Sequence, residues 1–183
     1  MAKVIAGMTM FLDGYVADGS GSVDQLFFDL SALRDTSYMK DLITETGAVL
    51  MGRRTFEMGD PDSYVGNYEF QVPIFVLTHQ PPMRAPKQDD RLTFTFVTDG
   101  FESALKQAKS AAGTKAVQVI GGVVRETLRR GVADELRLDV MPVLLGGGLR
   151  FVEDIEPERM QLEKKGVRQV GPRTSLAFRV YRR

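Results

Sequence analysis

Cysteine and tryptophan are absent from the 183 residues, and His79 is the lone histidine. Without cysteine there can be no disulfide and no thiolate zinc site, and a cytosolic home fits. One histidine makes a histidine-based metal site an unexpected find. Neither charge is in surplus, since 24 Lys plus Arg balance 24 Asp plus Glu. Nucleic-acid binders usually carry a basic excess, so nucleic acid is not an expected partner. No apolar run approaches the roughly 20 residues of a membrane span, so no membrane is expected either. The opening MAKVIAGMTMFLDGYVAD has one lysine and a short apolar run, loosely like a signal peptide. That run alternates with polar residues and breaks at Asp13-Gly14 without a cleavage-type ending, so it reads as the first strand of a cytoplasmic protein. Repeats, low-complexity tracts and linkers are also missing, and residues 1–183 are expected to form one domain. There is no GxGxxG fingerprint, GxSxG elbow, Walker A lysine motif or HExxH, so the common hydrolase, NTPase and zinc-protease readings find no support.

What is present is soluble-globular in balance, at 43% hydrophobic and 26% charged. KVIAGMTMF reads as an apolar strand closing at the turn LDG, and DGSGSVD as a loop. From Gln25 to Thr46, Leu26, Leu30, Leu33, Met39, Leu42 and Ile43 recur at helical spacing. Ala48–Met51 reads as a short buried strand, Thr55–Gly59 as a turn or two of helix, and 59–72 as loop. PIFVLT and LTFTFVT read as strands around a proline-rich loop. Asp99 with Glu102 three residues on has the form of a capping box before a helical face of Phe101, Leu105, Ala108 and Ala112. A strand KAVQVIGG, a helix VVRETLRRG ended by Gly131 and a strand DELRLDVMPVLLGGG follow. In that last strand Leu136, Leu138 and Val140 share one face. Met160–Val170 and Thr174–Tyr181 read as a hairpin joined by GPR. Alternating strands and helices predict a largely parallel sheet with helices on both faces, and the hairpin adds antiparallel strands at one edge. Ligands of such sheets bind beyond the carboxyl ends of strands, at helix N-termini.

Two strand exits have the form of anion sites. LMGRRT runs a strand into Gly52 and sets Arg53, Arg54 and Thr55 at a helix start, where backbone N–H groups are unpaired and the dipole favours an anion. Arginine adds planar forks that match phosphate, and threonine a hydroxyl. The alternative is a solvated arginine pair. VQVIGGVVRETL repeats the design at Gly121-Gly122, whose missing side chains let a phosphate approach the backbone. The alternative there is a tight turn. Two such sites on one sheet favour a dinucleotide over a lone phosphate. VLTHQPP ends another strand at Thr78 and His79, and a turn histidine is the plainer reading. LLGGGLRF lacks a following amphipathic helix and reads as a bend or bulge.

The ordered set FLDGYVAD, LMGRRTFE, PIFVLT, VIGG and GVADELRLDVMPVLLGGG resembles the dihydrofolate-reductase-like family across essentially the whole chain. It is closest in pattern to the reductase domains of bacterial riboflavin biosynthesis and their single-domain relatives. The resemblance implies a three-layer α/β/α fold with a mostly parallel central sheet and a C-terminal antiparallel hairpin. It also implies an NADPH site. Arg53 would meet the 2′-phosphate, and Arg54 and Thr55, after Gly52, the pyrophosphate. Leu77, Thr78 and His79 would run beside the adenosine. Gly121 and Gly122, with Ile120, Val123 and Val124 around them, would admit the pyrophosphate, their peptide bond being cis. The nicotinamide would lie near Thr9, Val16 and Ala17.

Dihydrofolate reductases place an acid on the first helix to hold the pterin and support protonation. Asp29 falls at that position by ungapped count, and Asp24 is the other candidate; the plainer reading of either is a solvated charge. Riboflavin-pathway reductases commonly carry an acid just before the glycine pair, where this chain has Ile120. No deaminase domain or zinc motif accompanies the reductase pattern. The expected activity is hydride transfer from NADPH to a C=N or C=O group of a small pterin- or pyrimidine-like heterocycle. The alternative is a non-catalytic NADP(H)-binding or sensor protein, and a ligand-free scaffold is a third reading. Relatives of this pattern are often homodimers paired through DELRLDVMPVLL and the C-terminal region, and a homodimer is expected here.

Overall fold

The computed structural model describes residues 1–153 and 160–182. Among the described residues, ten strands and six α-helices follow in chain order: β1 Val4–Phe11, β2 Tyr15–Ala17, α1 Leu30–Arg34, α2 Ser37–Glu45, β3 Thr46–Gly52, α3 Arg53–Glu57, α4 Tyr64–Asn67, β4 Ile74–Leu77, β5 Phe94–Val97, α5 Phe101–Ala112, β6 Ala116–Ile120, α6 Val123–Arg129, β7 Glu135–Met141, β8 Leu149–Arg150, β9 Met160–Val170 and β10 Arg173–Arg182. Eight strands form one sheet in the order β5-β4-β3-β6-β1-β7-β10-β9, and β2 pairs with β8 apart from it. From β5 to β7 every neighbouring pair is parallel. β10 is antiparallel to both β7 and β9. This is the expected α/β architecture with its antiparallel edge.

β3 and β4 are apolar on both faces, because helices cover both. In β3, Ala48 and Leu50 pack with Phe101, Leu105, Val124 and Leu128 of α5 and α6. Val49 and Met51 pack on the other side with Leu33 of α1, Met39 and Leu42 of α2 and Phe56 of α3. Fully burying a side chain such as Leu50 stabilises by about 1.5–3 kcal/mol, and Leu50 is 0% exposed.

The strand order places the site. β6 returns between β3 and β1, so the chain leaves in opposite directions on either side of it. Met51 and Gly7 both register on Ile120, and Gly52 registers on Leu77. Past β1, Thr9 registers on Asp139 and Asp139 on Ser175. The carboxyl ends of β4, β3, β6, β1 and β7 therefore open together.

Several local expectations are corrected. The helical spacing over 25–46 is split into a 3-10 turn at Asp24–Leu26, then α1 and α2. Thr36 starts α2 afresh, its Oγ1 accepting from the Met39 amide at 3.2 Å. The capping box does not form: Gly100 is the N-cap of α5, without a side-chain bond. Glu102 instead accepts from Arg130 Nη1 at 2.9 Å, a tertiary contact that overrides the local pattern. The expected loop at 59–72 contains a 3-10 turn, Pro61–Ser63, and α4.

Candidate functional site

The first glycine exit forms as expected. Gly52 ends β3 in extended conformation and is the N-cap of α3. Thr55, one turn into α3, leans onto the second exit. A Cβ on Gly121 would fall on Thr55 Oγ1, and one on Gly52 would approach Val123 Cγ2 at 3.3 Å. The two glycine turns thus pack against each other. Gly121 makes its turn at φ 68°, a left-handed conformation that glycine adopts without a steric penalty. The expected cis bond between Gly121 and Gly122 is not found: no described peptide bond is cis, and the positive φ of Gly121 turns the chain instead. Around Gly122 nothing lies within 4 Å of where a Cβ would stand, so its backbone faces open space. Val123 and Val124 are buried in the first turn of α6, and Ile120 is half-buried.

Arg53 reaches sideways along the strand ends. Its Nε donates to Glu57 Oε1 at 2.6 Å and its Nη1 to the Gln80 carbonyl at 2.5 Å. It therefore stands beside the turn after β4, where Thr78 is buried and His79 exposed. Thr78 Oγ1 donates to the same Gln80 carbonyl at 2.8 Å, closing that turn. Arg54 is exposed on α3, and Leu77 is half-buried at the end of β4. Arg53, Arg54, Thr55, Leu77, Thr78, Gly121 and Gly122 are thus brought to the carboxyl end of the sheet.

On the far side of β6, Thr9 of β1 is half-buried at the same end. The turn after β1 is fastened to the glycine-rich segment that follows β7. Asp13 Oδ2 accepts the amides of Leu145 and Gly146 at 2.8 and 2.7 Å. Leu12 N–H donates to the Val143 carbonyl, and Phe151 N–H to the Gly14 carbonyl. The expected bend in LLGGG is thereby a receptor for a carboxylate. Val16 and Ala17 lie on β2, whose pairing with β8 brings Gly148 so near Ala17 that a Cβ there would strike its carbonyl.

The two candidate acids separate. Asp24 is exposed in its 3-10 turn. Asp29 is buried, 9% exposed, rather than solvated on a helix face. Arg173 Nε and Nη2 donate to its two oxygens at 2.7 and 2.5 Å. The hydrogen bonds from Arg173 hold the Asp29 carboxyl below its ordinary range, although burial opposes them. Arg173 Nη1 also reaches Asp139 at 3.4 Å, and Tyr38 donates its hydroxyl to the other oxygen of Asp139 at 2.7 Å. Burial and then the Asp139 carboxylate push the Tyr38 hydroxyl far above its ordinary range. Arg173, Asp139 and Tyr38 were not singled out from the sequence. Their one signal is the alternation Glu135, Arg137, Asp139 along β7, which puts charge on the face opposite Leu136 and Leu138.

An open groove of about 760 Å³ lies elsewhere, at the amino end of the sheet between the first residues and α5, and contains none of the candidate residues.

A mostly parallel sheet closed by an antiparallel hairpin, with packed glycine turns at the ends of β3 and β6, defines a protein of dihydrofolate-reductase-like fold. The chain belongs to the RibD C-terminal domain family, whose model matches residues 2–176. It is 26% identical over 178 residues to the uncharacterized protein YwjB of Bacillus subtilis, covering 96% of this chain and 97% of that protein. A putative riboflavin biosynthesis protein from Shewanella sp. PV-4 superposes with a TM-score of 0.71 at 22% identity, over 100% of both chains. Dihydrofolate reductase from Enterococcus faecalis, solved with NADP(H), superposes with a TM-score of 0.56 at 18% identity, over 97% of this chain and 96% of that one.

Proposed function

We propose that the protein is an NADPH-dependent reductase that transfers hydride to a C=N or C=O group of a small heterocycle. The observation that carries this reading is the mutual packing of the two glycine exits, Thr55 against Gly121, in a chain of the RibD C-terminal domain family. That packing leaves the Gly122 backbone open, with nothing within 4 Å of where a Cβ would stand, as a cradle with Arg53 and Arg54 on one side and Thr9 on the other. These residues fit a dinucleotide: Arg53 and Arg54 for its phosphates, Leu77, Thr78 and His79 for its adenosine end, and Thr9, Val16 and Ala17 for its nicotinamide. NADPH, when bound, supplies the hydride; the protein's part is to bind, orient and exclude water. Arg53 is already aimed by Glu57 and Gln80 and keeps donors of its five for a phosphate.

Asp29, ionised by Arg173, is a poor proton donor at neutral pH, and Asp24 lies in an exposed turn. That engagement is the observation that favours the second reading, a non-catalytic NADP(H)-binding or sensor protein. The reductase further fits a cytoplasmic homodimer. Leu162 and Val167 of β9, which register on Val180 and Leu176 and so share one face of the hairpin, are 44% and 55% exposed and offer an apolar surface for a second copy.

Titration with NADPH followed by nicotinamide fluorescence tests the cofactor site, and the chain has no tryptophan to interfere. Saturable binding is expected; its absence would remove both readings. Steady NADPH oxidation with oxidised pterins or pyrimidine imines, supplied one at a time, separates the reductase from the sensor.

A further inference from the structure

The polar cluster at the carboxyl ends of β1 and β7 and the start of β10 is closed on itself. Arg173 is 1% exposed. Its Nε and Nη2 take the two oxygens of Asp29, its Nη2 also donates to the Leu26 carbonyl at 3.0 Å, and its Nη1 faces Asp139. The Phe27 ring lies beside the guanidinium, 6.0 Å from Cζ to centroid. Every nitrogen of the side chain is engaged, so Arg173 is not held ready for a substrate anion.

The shape of this contact matters. A carboxylate with two free oxygens receives two parallel N–H bonds, and a guanidinium edge supplies them. A ring N–H beside an exocyclic amine, the amidine edge of a protonated 2-aminopyrimidine or a 2-aminopterin, supplies the same pair. In this chain the contact is filled from within. Displacing the guanidinium would strand a buried cation, a loss that two ligand hydrogen bonds do not return.

We propose that Arg173 is a specificity-determining residue: by occupying both oxygens of Asp29 it shuts out heterocycles that bind through an amidine edge. The inference rests on the reductase reading. The substrate is then a heterocycle recognised without that edge, through groups that reach Thr9 and Asp139. These two face each other in register across β1 and β7, one strand from the Gly121 turn. Asp139 is half-buried there, its side chain 13% exposed, with Tyr38 on one oxygen and Arg173 Nη1 only at a long 3.4 Å from the other.

The test is calorimetric titration of the protein with 2,4-diaminopyrimidine at neutral pH, with an NADPH titration of the same samples. The native chain is expected to show no saturable diaminopyrimidine binding at millimolar concentration. Arg173→Met, which uncovers Asp29, is expected to bind it at least about tenfold more tightly, and adding Asp29→Asn to that variant to abolish the gain. Arg173→Lys keeps the charge but cannot fork across both oxygens, and serves if the methionine variant does not fold; a smaller gain is expected from it. Saturable binding to the native chain that Asp29→Asn removes would overturn the proposal. So would a folded Arg173 variant that gains nothing. Failure of NADPH to bind the native chain would instead remove the reductase reading, so the two failures are distinguishable.

Discussion

Thr55 Oγ1 occupies the space that any side chain at residue 121 would need, so the start of α3 and the turn after β6 are one packed unit. Gly121→Ala is expected to cost about 1–2 kcal/mol for its left-handed backbone alone, with the clash against Thr55 added. Thermal unfolding should show a fall of several degrees, since about 2–4 °C accompany each kcal/mol at this chain length. NADPH affinity should fall with it. Gly122→Ala, at a residue with φ of −60° and open space around it, should leave the melting temperature nearly unchanged and still weaken NADPH. Equal behaviour of the two variants in both measurements would contradict the cradle.

Glu135 is expected to make folding weaker in acid. It is 2% exposed, and burial alone would raise its pKa. Lys165, Lys3 and Arg137 outweigh burial and carry it down to about 2. A carboxyl depressed in the folded state stabilises above its unfolded pKa of about 4.3 and loses that contribution as pH falls toward the folded value. The stabilisation amounts to about 2–3 kcal/mol by that linkage, discounted because Lys3 and Lys165 are 40% and 37% exposed. Denaturant unfolding from pH 6 down to pH 2 should show this loss, and Glu135→Gln should flatten the slope between pH 5 and 2. An unchanged slope would remove Glu135 from the account.

Asp13 fastens the turn after β1 to residues 145 and 146. Asp13→Ala releases two amides from a charged acceptor, and each such bond contributes about 1.5–3 kcal/mol. Amide exchange at Leu145 and Gly146 should accelerate in the variant, while exchange in β6 stays slow. Unchanged protection at those two amides would show that the loop holds without the clamp.

The outer hairpin should set the oligomeric state. Leu162→Glu and Val167→Glu together place charge on two residues that are 44% and 55% exposed. Sedimentation velocity is expected to show a dimer for the native chain and a monomer for the double variant, with NADPH binding retained. A native monomer would contradict the dimer, and an undisturbed dimer would place its interface elsewhere.

The sheet was legible because its signals are local. Ala48–Met51 is a short apolar run and Val117–Ile120 one interrupted only by Gln118; both end at glycine, and each feeds a helix in the structure. The carboxyl-end location of Arg53, Thr55 and Gly121 follows from that pattern alone. The Asp29–Arg173 pair was not legible, since its members lie 144 positions apart and nothing beside either residue marks the other. Asp29 reads as a solvated helix charge until β10 is laid beside β7. The capping box at Asp99 misled for the converse reason: a local motif was present, but Arg130 draws Glu102 away. Asp13 and the glycines after β7 were each visible, but their meeting depends on the turn after β1 folding back across the sheet end.

A dinucleotide site whose arginines recognise a phosphate stands or falls on Arg53. NADPH and NADH differ by the 2′-phosphate, and a hydrogen bond to a charged group contributes about 1.5–3 kcal/mol, or about 10- to 100-fold in affinity. Fluorescence titration of the native chain and of Arg53→Ala with both cofactors is the measurement. NADPH is expected to bind the native chain at least about tenfold more tightly than NADH, and Arg53→Ala to lose this preference while NADH binding stays nearly constant. Equal affinity of the native chain for the two cofactors, or a preference untouched by Arg53→Ala, would contradict it.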